Sequence, residues 1–139
     1  MRTREQPTIH HDFLLLTMCV LFCVSRLNMQ SSCVSVDRTS PLEQFTGRKI
    51  DAARDLRVQF GDYVQATASN TDNTMRSRTQ GCIALLPTGN LTGSVKMWCL
   101  ATNATVTRDQ FKILPMPDLI VTHITSIAES QAFNANHQP

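Results

Sequence analysis

Between Leu56 and Pro117 the chain is cut into short β-type runs by turn residues, and this pattern limits what it can fold into. Leu56-Arg57-Val58-Gln59-Phe60 alternates apolar and polar, the period of a half-buried strand. Gly61-Asp62 breaks the run, and Tyr63–Thr67 resumes extended structure. Ala68–Gln80 is a polar Asn/Thr/Ser-rich hairpin loop carrying Arg76 and Arg78. Cys82–Leu86 is short and continuously apolar, which suits a strand buried on both faces. Pro87-Thr88-Gly89-Asn90 is turn chemistry, because Pro presets φ and Gly accepts a tight position. Val95–Leu100 alternates again, with Val95, Met97 and Cys99 on one side and Lys96 and Trp98 on the other. Asn103-Ala104 turns the chain, and Thr105–Thr107 and Phe111–Leu114 supply further strand. Pro115 and Pro117 end the pattern, since neither can donate to a ladder. The fold class this predicts is mainly β: a small antiparallel sheet or barrel over residues 53–117.

What precedes the β segment is helical in pattern. Phe13–Val24 is almost continuously apolar. Twelve helical residues rise about 18 Å, against a hydrocarbon core of about 30 Å, so the run is too short to span a membrane. Two readings stay open. One is a buried helix N-capped by Asp12 and reaching about Gln30; the other is the apolar centre of a secretory signal behind Arg2 and Arg4. Residues 1–12 read as a polar disordered end, and residues 31–52 as a linker. That linker holds a sharp signal, Ser40-Pro41-Leu42-Glu43, a capping box with Pro at the first helical position. It predicts a short helix over 41–46, stopped by Gly47. Residues 118–139 read as a brief amphipathic helix followed by a disordered end at 134–139.

A chain of 139 residues with 42% hydrophobic content supports one modest core. Its net charge of +2 does not by itself argue a polyanionic partner. The distribution is less even: residues 53–115 carry seven Lys/Arg against four Asp/Glu, and residues 116–139 carry none against two. Five cysteines, two of them inside the apolar run, make a poor disulfide framework and point to reduced thiols in a cytoplasmic or nuclear protein. Cys82 and Cys99 fall on neighbouring predicted strands, so a bond between them is geometrically open. Asn90 and Asn103 head glycosylation triplets that matter only in a secreted or membrane-associated protein, the alternative location.

No catalytic constellation stands out. The carboxylates are scattered, and no phosphate-cradling loop, nucleophile elbow or His-Glu-x-x-His helix is present. His10 and His11 with Cys19 and Cys23 lack the knuckle spacing of a zinc site. No enzyme activity, cofactor, metal or small-molecule substrate is expected. The candidate contacts are cations for a nucleic-acid backbone: Arg48, Lys49, Arg57, Arg76, Arg78, Lys96, Arg108 and Lys112, interleaved with Tyr63, Trp98 and Phe111. Trp98 is the aromatic offered for stacking on a base.

Taken in order, the motifs resemble a known family. Thr39-Ser40-Pro41-Leu42-Glu43-Gln44-Phe45-Thr46-Gly47-Arg48-Lys49 is similar to the segment that follows the integrase catalytic core in copia-type retrotransposon polyproteins. Leu56-Arg57-Val58-Gln59-Phe60-Gly61 resembles that family's Leu-Arg-Val-Phe-Gly strand with one extra residue. Gly81–Leu86, Lys96–Leu100 and Val106-Thr107-Arg108-Asp109-Gln110-Phe111 are similar to its closing strands. The apolar helix, with its Ser25-Arg26-Leu27-Asn28 end, looks like the last helix of the core. The loop at 68–80 and the turn at Pro87 depart from the family pattern. The resemblance implies an SH3-like barrel, with the acidic residues of the integrase site lying before residue 13. It implies a non-catalytic polyprotein fragment that contacts DNA weakly, or the integrase or reverse transcriptase portions, and self-associates through its apolar helix. The alternative remains a small secreted or membrane-associated β domain with a signal sequence and N-glycans.

Overall fold

The computed structural model describes residues 11–31, 37–68 and 73–136. In chain order the elements are α1 (His11–Met29), α2 (Pro41–Thr46), α3 (Ala52–Asp55), β1 (Tyr63–Thr67), β2 (Thr79–Pro87), β3 (Val95–Cys99), β4 (Ala104–Arg108), β5 (Phe111–Ile113) and α4 (Asp118–Asn136). The strands form one antiparallel sheet in the order β4-β3-β2-β1-β5. Its edges are consecutive in the chain, yet no β4–β5 ladder joins them, and the sheet is not closed.

β2 is the spine. Its first half pairs with β1, from Tyr63 opposite Ile83 to Thr67 opposite Thr79. Its second half pairs with β3, where the register slips between Ala84 and Leu86. The slip leaves Leu85 as one extra residue, and such a bulge bends and twists the strand that carries it. The bend lets one strand serve two flanks of a coiled sheet. Gly81 on β2 is held to glycine by a close approach: a Cβ there would meet the Tyr63 hydroxyl at 2.7 Å.

Both faces of the sheet are covered. One face packs Val58, Val64, Ala66, Cys82, Ala84, Val95, Met97, Cys99 and Phe111 into the main core, with Val106 against it. The other face presents Tyr63, Ile83, Leu85 and Trp98 to a helical layer. Leu15 and Met18 of α1 and Ile120, Ile124 and Ile127 of α4 pack there, with Phe60 and Leu114. The continuous burial of Cys82 through Leu85 follows from this two-sided covering.

The short helix matches its sequence signal. Glu43 N–H donates to Ser40 Oγ at 3.2 Å, and Ser40 N–H donates to Glu43 Oε2 at 3.1 Å. Gly47 ends the helix at φ 68°, in the left-handed region that glycine enters without steric cost.

Four local expectations are corrected. Residues 56–60 form no strand: Gln59 N–H donates to Asp62 Oδ2 at 2.9 Å and Asp62 N–H to Gln59 O at 3.3 Å, closing a turn where a ladder was expected. The alternation still places Val58 inward at 2% exposure, because side-chain burial does not require a ladder. The apolar helix begins at His11, so Asp12 is inside it and is not its cap. A third short helix, α3, lies within the expected linker. The C-terminal helix runs 19 residues through Asn136, because Ile120, Ile124 and Ile127 give it a face to bury on the sheet. Expectations for residues 1–10 and 137–139 lie outside the described residues.

Candidate nucleic-acid interface

The sheet draws some of the candidate cations together and separates others. Where β1 ends, Arg108 donates through Nε to Thr67 O at 3.1 Å and through a terminal nitrogen to Thr107 O at 2.9 Å. Thr67 N–H donates to Gln110 O at 3.2 Å, and Ala68 N–H donates to Arg78 O at 2.8 Å. Arg57 donates to Phe111 O at 3.1 Å, and its guanidinium lies 4.2 Å from the Phe111 ring centroid, a cation–π distance. Arg76 precedes Arg78 by two residues, and Lys112 follows Phe111 on edge strand β5, opposite Gln65. Arg57, Arg78 and Arg108 thus sit at the junction of β1, β2 and the β4–β5 connection, with Arg76 two residues before Arg78 and Lys112 on the face of β5 opposite to Phe111. Asp109 is the carboxylate in that connection.

Within this group the cations have different availability. Arg57 and Arg108 hold backbone carbonyls and therefore also hold the fold. Arg76, Arg78 and Lys112 are exposed, and their side chains engage no described group. An exposed cation without an internal partner is free to meet a phosphate oxygen.

Arg48, Lys49 and Lys96 stand apart. Arg48 lies 4.0 Å from Asp55 Oδ1 and donates to Gly89 O at 3.5 Å, beyond the far end of β2. Lys49 is exposed beside the Glu43 carboxylate. Lys96 is half-buried, opposite Thr107 on β4, on the alternate face of β3 from Val95 and Met97.

Trp98 is withdrawn from the interface. It is 3% exposed beneath the helical layer, and its indole N–H donates to Asn103 Oδ1 at 3.0 Å. Tyr63 and Phe111 are also buried, at 9% and 8% exposure. The three interleaved aromatics are therefore core residues, and the surface offers cations without a stacking platform from them. Lys96 and Trp98 do share a face, but α1 and α4 lie over that face. The amphipathic pattern of the tail, with Ile120, Ile124 and Ile127, was the available signal of that cover.

Sequence reasoning missed the polar junction that fixes the N-terminal helix. Arg26 donates to Asp55 O at 3.1 Å and also to Val58 O, and its guanidinium lies 4.7 Å from the Phe22 ring centroid. Burial lowers the pKa of this guanidinium. Asp55, 5% exposed, takes a two-pronged contact from Arg54, with Nε to Oδ1 and a terminal nitrogen to Oδ2 both at 3.0 Å. Asp51 N–H donates to Asp55 Oδ2 at 3.0 Å. The Arg54 contact, and then the Asp51 amide, hold the Asp55 carboxyl below its ordinary range despite burial. Glu43 is lowered chiefly by the Ile50 N–H, which donates to Oε1 at 3.0 Å, and next by Ser40 N–H. The signal for Arg26 was its isolation: it is the only charged residue between positions 13 and 31.

Cys82 and Cys99 are opposite each other in the β2–β3 register, fully buried, and present as free thiols. Burial, then the neighbouring Cys99, pushes the Cys82 thiol up to about 12. The two sequon asparagines lie in exposed turns. Asn90 Oδ1 accepts from Ser94 N–H at 2.9 Å, and Asn103, at φ 55°, accepts the Trp98 indole. Among the described residues no three His, Cys, Asp or Glu side chains converge, and His10 lies outside them. No helix among them is long and apolar enough to cross a membrane. An open groove of about 480 Å³ runs beside α1, lined by Cys19, Phe22, Arg26, Leu56 and Phe60 among others, and it pairs no base with a nucleophile. No family model, curated protein or solved structure matches this chain.

Proposed function

We propose that this chain is a non-catalytic module of retroelement origin, the end of an integrase-type core followed by a small SH3-like barrel, and that it contacts the DNA backbone. The observation that carries the proposal is the placement of Arg57, Arg78 and Arg108 at one junction of the sheet, with Arg76 and Lys112 close by in the chain, and with Arg76, Arg78 and Lys112 exposed and engaging no described group. The barrel reading is supported by the strand order, by the bulge that bends β2, and by two edge strands separated by only Asp109 and Gln110. The family reading is supported by the order of its motifs, including the capped helix at 41–46. Because the described aromatics of the junction are buried, binding is electrostatic, weak and indifferent to sequence.

The secreted alternative draws on Asn90 and Asn103, which lie in exposed turns. Against it, a cleaved signal would carry away Leu15 and Met18, which cover the Trp98 face. The non-secreted reading is therefore the one we adopt.

Salt-dependent binding to a labelled DNA duplex tests the DNA contact. With about three phosphates neutralised, the logarithmic salt slope is about −3. The triple variant Arg76→Ala/Arg78→Ala/Lys112→Ala should flatten the slope to near zero, while Arg48→Ala/Lys49→Ala should leave it nearly unchanged. Salt-independent binding, or equal loss in both variants, would refute the assignment.

A further inference from the structure

Helix α1 has two apolar faces, and the sheet covers one of them. Leu15 and Met18 point into the packing over Trp98, and Arg26 turns toward Asp55 and Val58. On a second, solvent-facing side Leu16, Val20, Cys23 and Leu27 follow one another at steps of four, three and four, and Cys23 also lines the groove toward Phe60. That is the spacing of a coiled-coil seam. All four are exposed: Leu16 at 63%, Val20 at 55% and Leu27 at 62%, with Cys23 also at the surface and Val24 beside them at 47%.

We propose that this seam is a homodimer interface, covered by the same seam of a second copy of this chain. Two observations favour a second copy over another occupant. The first is the absence of charge. Residues 13–25 contain no charged side chain, and Arg26 is engaged inward, so the seam presents nothing to select a partner with a charge pattern. A two-fold axis makes one apolar patch complementary to itself. The second is area. Five side chains exposed to this degree offer roughly 500 Å² per helix, so a symmetric pair buries about 1,000 Å², near the lower bound for a specific interface. The helix is already held by the sheet, so dimerisation need not also fold it, which relieves the length requirement of an isolated coiled coil. The inference deepens the self-association expected of the apolar helix and is independent of DNA contact, since it is read without DNA.

The test is the mass of the full chain in solution, kept reduced, by sedimentation equilibrium up to about 100 µM. The expected result is reversible conversion from the 15.5 kDa monomer to twice that mass. Leu16→Glu/Leu27→Glu should weaken the dimer at least tenfold without changing the circular dichroism spectrum, because both positions face solvent in the monomer. Leu119→Glu, on the exposed side of α4, should leave the dimer intact. A monomer throughout the range would overturn the proposal. So would a dimer indifferent to the seam variant, or a monomer that instead floats with phosphatidylcholine vesicles, which would make a lipid surface the occupant.

Discussion

Arg26 and Asp55 show how single residues fix this fold without belonging to a functional site. Arg26 anchors α1 to the carbonyls of Asp55 and Val58, and Arg54 closes on the Asp55 carboxylate from the other side. A buried carboxylate that accepts two bonds from the Arg54 guanidinium and one from an amide loses the charge assistance and the Oδ2 acceptor when asparagine replaces it. Asp55→Asn should therefore lower stability at pH 7 by about 2 kcal/mol in urea unfolding, the scale of charge-assisted hydrogen bonds. Its folded pKa lies below the unfolded value, which for aspartate is about 3.9. The stabilisation is thus present above that pH and disappears as pH falls below it toward the folded pKa. The wild type should lose stability in this acid range, and the Asn variant should show a flatter pH dependence there. Equal acid slopes in the two proteins would refute the linkage. Arg26 was visible in the sequence as a lone charge in an apolar helix, but its partners lie 29 and 32 residues away and no local rule names them.

At the scale of elements, legibility followed the range of the interactions that decide each one. The 41–46 helix was readable because its cap, its proline and its terminating Gly47 act within a few residues. The strand at Val95–Cys99 was readable because alternation is a local period. The 56–60 segment has the same alternation but lacks a ladder partner, and Asp62 folds back on Gln59. Helix α4 was underestimated because its length depends on a surface supplied by other parts of the chain. Its inner residues Ile120, Ile124 and Ile127 lie on the Trp98 face, while Leu119 is 81% exposed. Ile124→Ala should cost on the order of 1–2 kcal/mol, below the range for a fully buried residue because Ile124 is only half-buried. Leu119→Ala should cost little, and thermal unfolding of the pair checks the difference.

For the whole molecule, the two-sided sheet determines which thiols can react. Cys82 and Cys99 are enclosed between β1, β3 and Phe111, and Cys82 titrates near 12. Its thiolate is therefore scarce at pH 8, and an alkylating reagent must also wait for the sheet to open. Cys23 lies on the exposed side of α1. Mass spectrometry during iodoacetamide treatment of the dilute monomer should show Cys23 modified early, with Cys82 and Cys99 modified at the rate of global unfolding. Rapid native labelling of Cys82 would contradict the packing. Chemistry at the surface follows the same architecture. Arg57, Arg78 and Arg108 come to one junction only because β1, β2 and the β4–β5 connection end there, while the aromatics that alternate with the cations turn inward.

The sequence alone determined the antiparallel β segment, the capped helix, most strand positions, the apolar character of α1 and the identity of the basic residues. All of these rest on local periods, caps and composition. Tertiary structure decided what those features meet. It set the register slip at Leu85, the covering of the Trp98 face by α1 and α4, and the pairing of Arg54 and Arg26 around Asp55. It also placed Arg57, Arg78 and Arg108 at one junction, with Arg48, Lys49 and Lys96 elsewhere. Each of these depends on segments distant in sequence closing on one another, and that closure is governed by burial and register across the entire chain.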